Sequence, residues 1–255
     1  MMDNNTAFET LGGVLEGTSA HISRTLMISE LESLLQATDF DSSLEDYLKS
    51  VVEDNCLLKS TVKTRKVTYT NLKSLYALDP ENKLFMLLRV LYEKEPEELP
   101  LLAFMCAYCR DFIFRFAVKH IQSVPEGTSM PGMFFQQYLE DQFPKRYSNA
   151  TRSSMSQNLL ASFFRTGHVA GTKMKKVRSQ SKPGAAAVCY AATIAYAMGM
   201  RGMYLCENEF VKALDCSRES ALSLLSDADA KGLIRLRLLG EVMDVQFTFA
   251  EGIIS

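Results

Sequence analysis

The sequence predicts a mainly α-helical fold, in which a helical N-terminal domain is followed by tandem winged-helix-like units with small β-ribbons. Three observations lead there. Apolar residues recur at three- and four-residue spacing through the first half of the chain, the period of a half-buried helix. In the second half, two helical stretches each end at a glycine and run into a short alternating or β-branched segment, "HVAGTKMKKVRSQ" and "LIRLRLLGEVMDVQFTF". The composition suffices for such a fold, because 47% of the 255 residues are hydrophobic, enough for one large core or a few small ones.

In chain order, residues 1–17 are rich in Asn, Thr and Gly without sustained periodicity and are expected to form a loosely held arm. A helical domain over 18–124 follows. In "SAHISRTLMISELESLLQ", Ile22, Leu26, Leu31, Leu34 and Leu35 fall near a 3.6-residue spacing, and Leu44, Leu48, Val51 and Val52 repeat it in "SLEDYLKSVVEDNCL". Further helices are expected over 60–77, 81–94, 98–122 and 132–142, punctuated at Asp79-Pro80, Pro96 and Pro125-Glu126-Gly127. A basic winged-helix-like unit is placed over 125–182, its main helix spanning 149–166 and ending at Gly167. A second unit is placed over 183–255, with a helix over 218–231 ending at Gly232 and a hairpin turning at Gly240-Glu241. The uncharged stretch 185–200 rises only about 24 Å as a helix, short of the roughly 30 Å hydrocarbon core, so it reads as a buried helix and not a membrane span.

Charge is distributed unevenly. The formal net charge is -2, yet residues 142–206 hold ten basic residues and no acidic one, between a segment of net charge -8 and another of -4. Local charge decides what a surface binds. At 100° per residue, the helix over 149–166 puts Met155, Leu159, Leu160 and Phe163 on one side. Thr151, Ser154, Asn158 and Arg165 fall on the other, with Gln157 at the edge. Short polar and cationic side chains of this kind suit a nucleic-acid groove, where Asn, Gln and Arg read base edges and Ser and Thr bond phosphates. The ribbon that follows adds Lys173, Lys175, Lys176 and Arg178, with Lys182 beyond, and Lys145 and Arg146 precede the helix. Cations on both faces of a ribbon gain most from phosphate.

A second cationic stripe lies upstream. In "STVKTRKVTYTNLKSLYAL", Ser60 is positioned to cap the helix, while Tyr69, Leu72, Leu75 and Tyr76 form its buried side. Lys63, Lys66, Thr70 and Lys73 share the opposite side, and no acid occurs between Asp54 and Asp79. The second winged-helix-like unit differs in chemistry, since Glu219, Asp227 and Asp229 accompany Arg218 and Lys231; a packing or protein-contact role suits residues 183–252 better, with Arg218, Arg235 and Arg237 as weaker DNA candidates.

Motifs for catalysis, metal or cofactor are not found. Cys106 and Cys109 form a C-x-x-C inside an apolar helical run with no second pair at zinc-ligand spacing, and all six cysteines read as reduced residues of a cytoplasmic protein. His21, His120 and His168 lack H-E-x-x-H spacing, and His168 reads as part of the basic patch. No G-x-x-x-x-G-K-[ST] is present, and "DPENK" at 79–83 sits in a turn where a nuclease would need carboxylates on adjoining strands.

The ordered set "VVEDNCLLKSTVKTRKVTYTNLKSLYALDP" (51–80), "CRDFIFRFAV" (109–118), "YSNATRSSMSQNLLASFFRTGHVAG" (147–171) and a C-terminal winged unit resembles the BrxA family of bacterial BREX (bacteriophage exclusion) phage-defence systems, over roughly 18–250. The resemblance implies a non-enzymatic duplex-DNA-binding protein with helix-turn-helix or winged-helix elements, acting beside larger antiviral defence proteins. Its likeness to an RNA-binding antitermination factor keeps RNA in play. By position, the basic helix of the family corresponds to Lys59, Lys63, Arg65, Lys66 and Lys73, and its later helix start to Ser148, Thr151 and Arg152. The chain departs from the family pattern in its N-terminal arm and its basic 172–182 ribbon. The expectation is therefore binding of duplex DNA, mainly through phosphates, with a protein-interaction adaptor and an RNA-binding protein as the alternatives for the same basic surface.

Overall fold

The structure, a computed structural model, describes residues 3–172, 175–240 and 242–254. Its first half is a succession of helices: α1 (Asn4–Thr10), α2 (Ile28–Gln36), α3 (Leu44–Val52), α4 (Val62–Tyr76), α5 (Lys83–Lys94), α6 (Leu99–Arg110) and α7 (Phe112–Gln122). The second half runs α8 (Gln136–Gln142), α9 (Asn149–Arg165), an antiparallel ribbon of β1 (Val169–Gly171) and β2 (Lys176–Arg178), then α10 (Ala185–Ala197), α11 (Glu209–Ala213), α12 (Arg218–Ala230), and a second antiparallel ribbon of β3 (Arg235–Leu239) and β4 (Val242–Gln246). The described residues are thus mainly helical, with two small antiparallel hairpins.

Two helices organise the core because they are apolar all round and have no face to give to water. In α6 every residue from Leu101 to Cys109 is buried, and the helix packs against α2, α4, α5, α7 and α10. In α10 every residue from Ala185 to Ala195 is buried, as expected for the uncharged stretch, and its small side chains let α5, α6, α11 and α12 approach. One hydrophobic core therefore runs from Phe8 to Ala250. Among the described residues, no helix is long and apolar enough to cross a membrane.

The helix starts carry their capping chemistry. Ser43 and Asp46 form a reciprocal capping box on α3, and Ser148 accepts from the Thr151 amide on α9. Thr61, one residue after the expected Ser60, caps α4 by accepting from the Thr64 amide. Gly167 and Gly232 follow α9 and α12 with φ of 80° and 74°, the left-handed conformation that ends a helix without a Cβ clash.

Three expectations need correction. Residues 3–17 are held, not loose: Phe8 and Leu11 are buried, and the Val14 amide donates to the Cys109 carbonyl at 2.9 Å. The Arg110 and Arg115 guanidinium groups donate to the Gly12 and Val14 carbonyls, so backbone polar groups, which composition does not register, anchor this segment. Residues 19–36 are not one helix, because α2 begins only at Ile28, after Met27 at a φ of 52°. The run 98–122 divides at Asp111, which leaves the helix to accept from the Phe114 amide at 2.9 Å and starts α7 afresh.

Candidate nucleic-acid interface

The apolar side of α9 is where the periodicity placed it, with Met155, Leu159, Leu160 and Phe163 fully buried. The polar side is narrower than expected. Asn158 donates its amide to the His21 carbonyl at 3.1 Å, so the short 3-10 turn at Ala20–Ile22 covers that part of the helix. Arg152 is also withdrawn, since its guanidinium donates to the Glu140 carboxylate, the Tyr147 carbonyl and the Asn149 side chain. Thr151 has its hydroxyl 2.9 Å from that of Ser148, within the cap. Ser154, Gln157 and Arg165 remain exposed beside Phe164, and Arg165 also donates to the Ser29 hydroxyl at 3.2 Å.

The ribbon holds the largest correction. Arg178 is 5% exposed and donates to the Ile121 and His168 carbonyls, each at 3.1 Å, while a two-pronged ion pair joins it to Asp215. It ties β2 to the end of α7 and to the loop before α12, and it presents nothing to a ligand. Strand alternation alone would have let it face outward, but residues 127–130 lie along the free edge of β2. Gly127 and Met130 donate to the Arg178 and Lys176 carbonyls, and the Arg178 amide donates to Thr128. Lys175 is exposed and Lys176 half-buried; Lys173 lies outside the described residues.

His168 is not part of the basic patch either. It is fully buried, with Nε2 donating to the Ala213 carbonyl at 3.0 Å and Nδ1 2.8 Å from the Thr166 hydroxyl. Burial pushes its pKa down and keeps the ring neutral, although Asp215 opposes this.

Among the described residues of the acid-free segment 142–206, here called the island, the exposed cations are therefore Lys145, Arg146, Arg165, Lys175, Lys182 and Arg201, the last lying over the Tyr196 ring and donating to the Tyr196 and Met200 carbonyls. Arg146 stacks near Phe143 and Tyr147 and donates to the Gly17 carbonyl, which fixes its stem and leaves its charge at the surface. Arg165 and Lys182 border a groove of about 900 Å³ between the end of α9, β1, and the N-terminus of α10, closed on the far side by α12. Glu97, Asp227 and Lys231 also border it, so this part of the surface is of mixed sign. Glu98 faces the same groove and accepts from the Gly184, Ala186 and Ala187 amides at 2.9–3.1 Å, which fills the anion-attracting start of α10 with a carboxylate of the chain itself.

On α4 the stripe holds: Lys63, Lys66, Thr70 and Lys73 are all exposed on one side. Two neighbours assigned to it are engaged elsewhere. Arg65 donates to the Val52 and Lys59 carbonyls, bracing the end of α3, and Lys59 pairs with Glu30 at 3.1 Å.

One chemically suggestive constellation has no local signature in the sequence. His21 Nδ1 donates to the Asp111 carboxylate at 2.9 Å, and its Nε2 lies 3.0 Å from Ser162 Oγ. Although the three residues match a Ser-His-Asp relay in type and distance, they sit at 0–2% exposure. Ser162 Oγ also accepts from the Leu26 amide at 3.0 Å and bonds the Asn158 carbonyl at 2.9 Å, so no direction around the oxygen is left for attack on a substrate. Burial alone would raise the Asp111 pKa; His21, the Phe114 amide and Ser19 outweigh it and hold the carboxyl below its ordinary range. The trio clamps the 19–27 segment onto α7 and α9. The C-x-x-C is likewise internal: burial pushes the Cys106 thiol up to about 11 and that of Cys109 higher still, away from the thiolate that metal or redox chemistry needs.

No protein-family model matches the chain, and no match is found among curated proteins.

Proposed function

We propose that the chain is a duplex-DNA-binding protein that grips the phosphate backbone and has no catalytic step of its own. The observation that carries this reading is the cationic surface left after folding. Lys145, Arg146, Arg165, Lys175 and Lys182 are exposed in a stretch of 65 residues without a carboxylate, and Lys63, Lys66 and Lys73 form a second stripe on α4. Released counterions make such contacts favourable and sensitive to salt. The succession α8, α9, β1–β2 and its repeat α11, α12, β3–β4 supports tandem winged-helix-like units, the first offering Ser154, Gln157 and Arg165 to a groove. The resemblance to the BrxA family gives the setting: an accessory protein of a BREX-type phage-defence system, working beside larger components.

The test is fluorescence anisotropy of a random-sequence 30-base-pair DNA duplex over a salt series, with an RNA duplex of equal length alongside. With five to eight phosphate contacts, log affinity falls against log salt with a slope of about -4 to -7 for DNA, with little sequence preference. Tighter binding of the A-form duplex would move the assignment to RNA. No binding of either at low salt would leave an acidic protein as the partner of the island.

A further inference from the structure

The outer face of the β3–β4 ribbon is left uncovered by the rest of the chain. Its register pairs Leu239 with Val242, Arg237 with Asp244 and Arg235 with Gln246. Residues two apart on a strand share a face, so these six side chains form one surface, and all six are exposed. The opposite face turns Met243 and Val245 into the core. At the free end Leu239 is 83% exposed and Val242 69%. Adjacent aliphatic side chains left so open at a hairpin tip mark a contact surface more than a solvated one.

The charges indicate what covers it. Among the described residues, Arg235, Arg237 and Asp244 have no ion-pair or side-chain hydrogen-bond partner, although Arg237 and Asp244 stand opposite each other across the ribbon. Among the described residues, Asp244 stands across the ribbon from Arg237, so this face offers an acceptor as well as donors and is not a purely cationic surface. A second copy can meet Arg237 with its own Asp244. If two ribbons stack face to face about a twofold axis running along the strands, β3 of each lies over β4 of the other. Every cross-strand pair then becomes a contact between copies: Leu239 on Val242, the Arg237 guanidinium on the Asp244 carboxylate, and the Arg235 guanidinium on the Gln246 amide.

We propose that this ribbon is a homodimerisation surface, with Leu239 packed on the partner's Val242 and Arg237 paired with the partner's Asp244, each contact made twice by symmetry. An isologous patch must be complementary to itself, and this one is. It is small, which places the dimer in the weak class, with a dissociation constant on the order of 100 µM. The proposal is independent of the DNA-binding reading.

Sedimentation equilibrium of the full chain without nucleic acid, from about 10 µM to 1 mM, tests it. Wild type passes from monomer to dimer across that range, and Leu239→Asp stays monomeric. Arg237→Asp and Asp244→Arg each weaken association at least about tenfold by bringing like charges together, and the double exchange R237D/D244R restores it to within about threefold, because the swapped pair is again complementary. Hydrogen exchange on wild type needs no substitution and shows ribbon amides protected more at high concentration. Wild type that stays monomeric at the highest concentration overturns the proposal. So does a double exchange no tighter than either single change, or ribbon exchange independent of concentration.

Discussion

The two helix-and-ribbon units share an order of elements and differ in where their charge ends up. In the α9 unit the strands are three residues long, residues 127–130 lie along the edge of β2, and the most deeply placed cation, Arg178, is spent on Asp215. In the α12 unit the strands are five residues long, both arginines of β3 are open, and the tip is aliphatic. The first ribbon is fastened to the body with Lys175 and Lys182 exposed beside it; the second keeps one face in the core and leaves Arg235, Arg237 and Asp244 open on the other. Similar local architecture therefore leaves different surfaces, and the difference lies in which side chains the remainder of the chain neutralises.

Loss of the fastening gives the largest expected effect. Arg178→Ala leaves the half-buried Asp215 carboxylate without its ion-pair partner, holding only the Ser181 amide, and is predicted to cost about 3 kcal/mol in unfolding free energy, read by urea denaturation. Arg235→Ala, its counterpart on the open ribbon, is predicted to change stability by less than about 0.5 kcal/mol. Equal effects would erase the distinction between the units. Next comes the clamp beneath α9: His21→Ala removes bonds to Asp111 and Ser162 and is predicted to cost about 2–4 kcal/mol by the same measurement.

Acidity sharpens the comparison with a smaller effect. Burial lowers the folded-state pKa of His168, and that of the half-buried His120, below the ordinary 6.5. The unfolded chain therefore takes up protons first as pH falls below about 6.5, so stability declines there. His168→Gln is predicted to flatten that decline, and an unchanged slope would place the histidine charge elsewhere. Asp111 acts in a lower window. Its folded pKa is depressed, so its contribution is present above the ordinary 3.8 and is lost as pH falls below it. Smallest is Gln157→Ala on the exposed strip of α9, within about 0.5 kcal/mol of wild type in stability. Its effect on binding measures how far bases, and not phosphates alone, are read.

Most helices, the glycine stops at 167 and 232 and the buried α10 were legible in the sequence because each is set by neighbours within a few residues, whereas the cap expected at Ser60 is Thr61 and the runs 19–36 and 98–122 do not form single helices. The candidate site was legible only in part, for a physical reason. Glu140 neutralises Arg152 from just outside the acid-free segment, Asp215 neutralises Arg178 from 37 positions away, and Glu30 reaches Lys59 from 29. A window counted along the chain cannot register these pairings, so it overstates the charge that reaches solvent. The same blindness hid the clamp, whose three members are 90 and 141 positions apart in the pairs that bond. One local sign was available: a serine inside the apolar side of α9, at position 162, needs a polar partner when buried.

The central claim is that exposed island cations, and not buried ones, hold DNA. It is tested most directly by the salt dependence of duplex affinity for K145A/K175A/K182A beside R152A. The triple variant is predicted to keep wild-type stability and to lose about three units of salt slope, close to one per lysine, whereas R152A keeps the wild-type slope at temperatures where it is folded. A triple variant with the wild-type slope, or an R152A that loses a full unit while folded, would contradict the account.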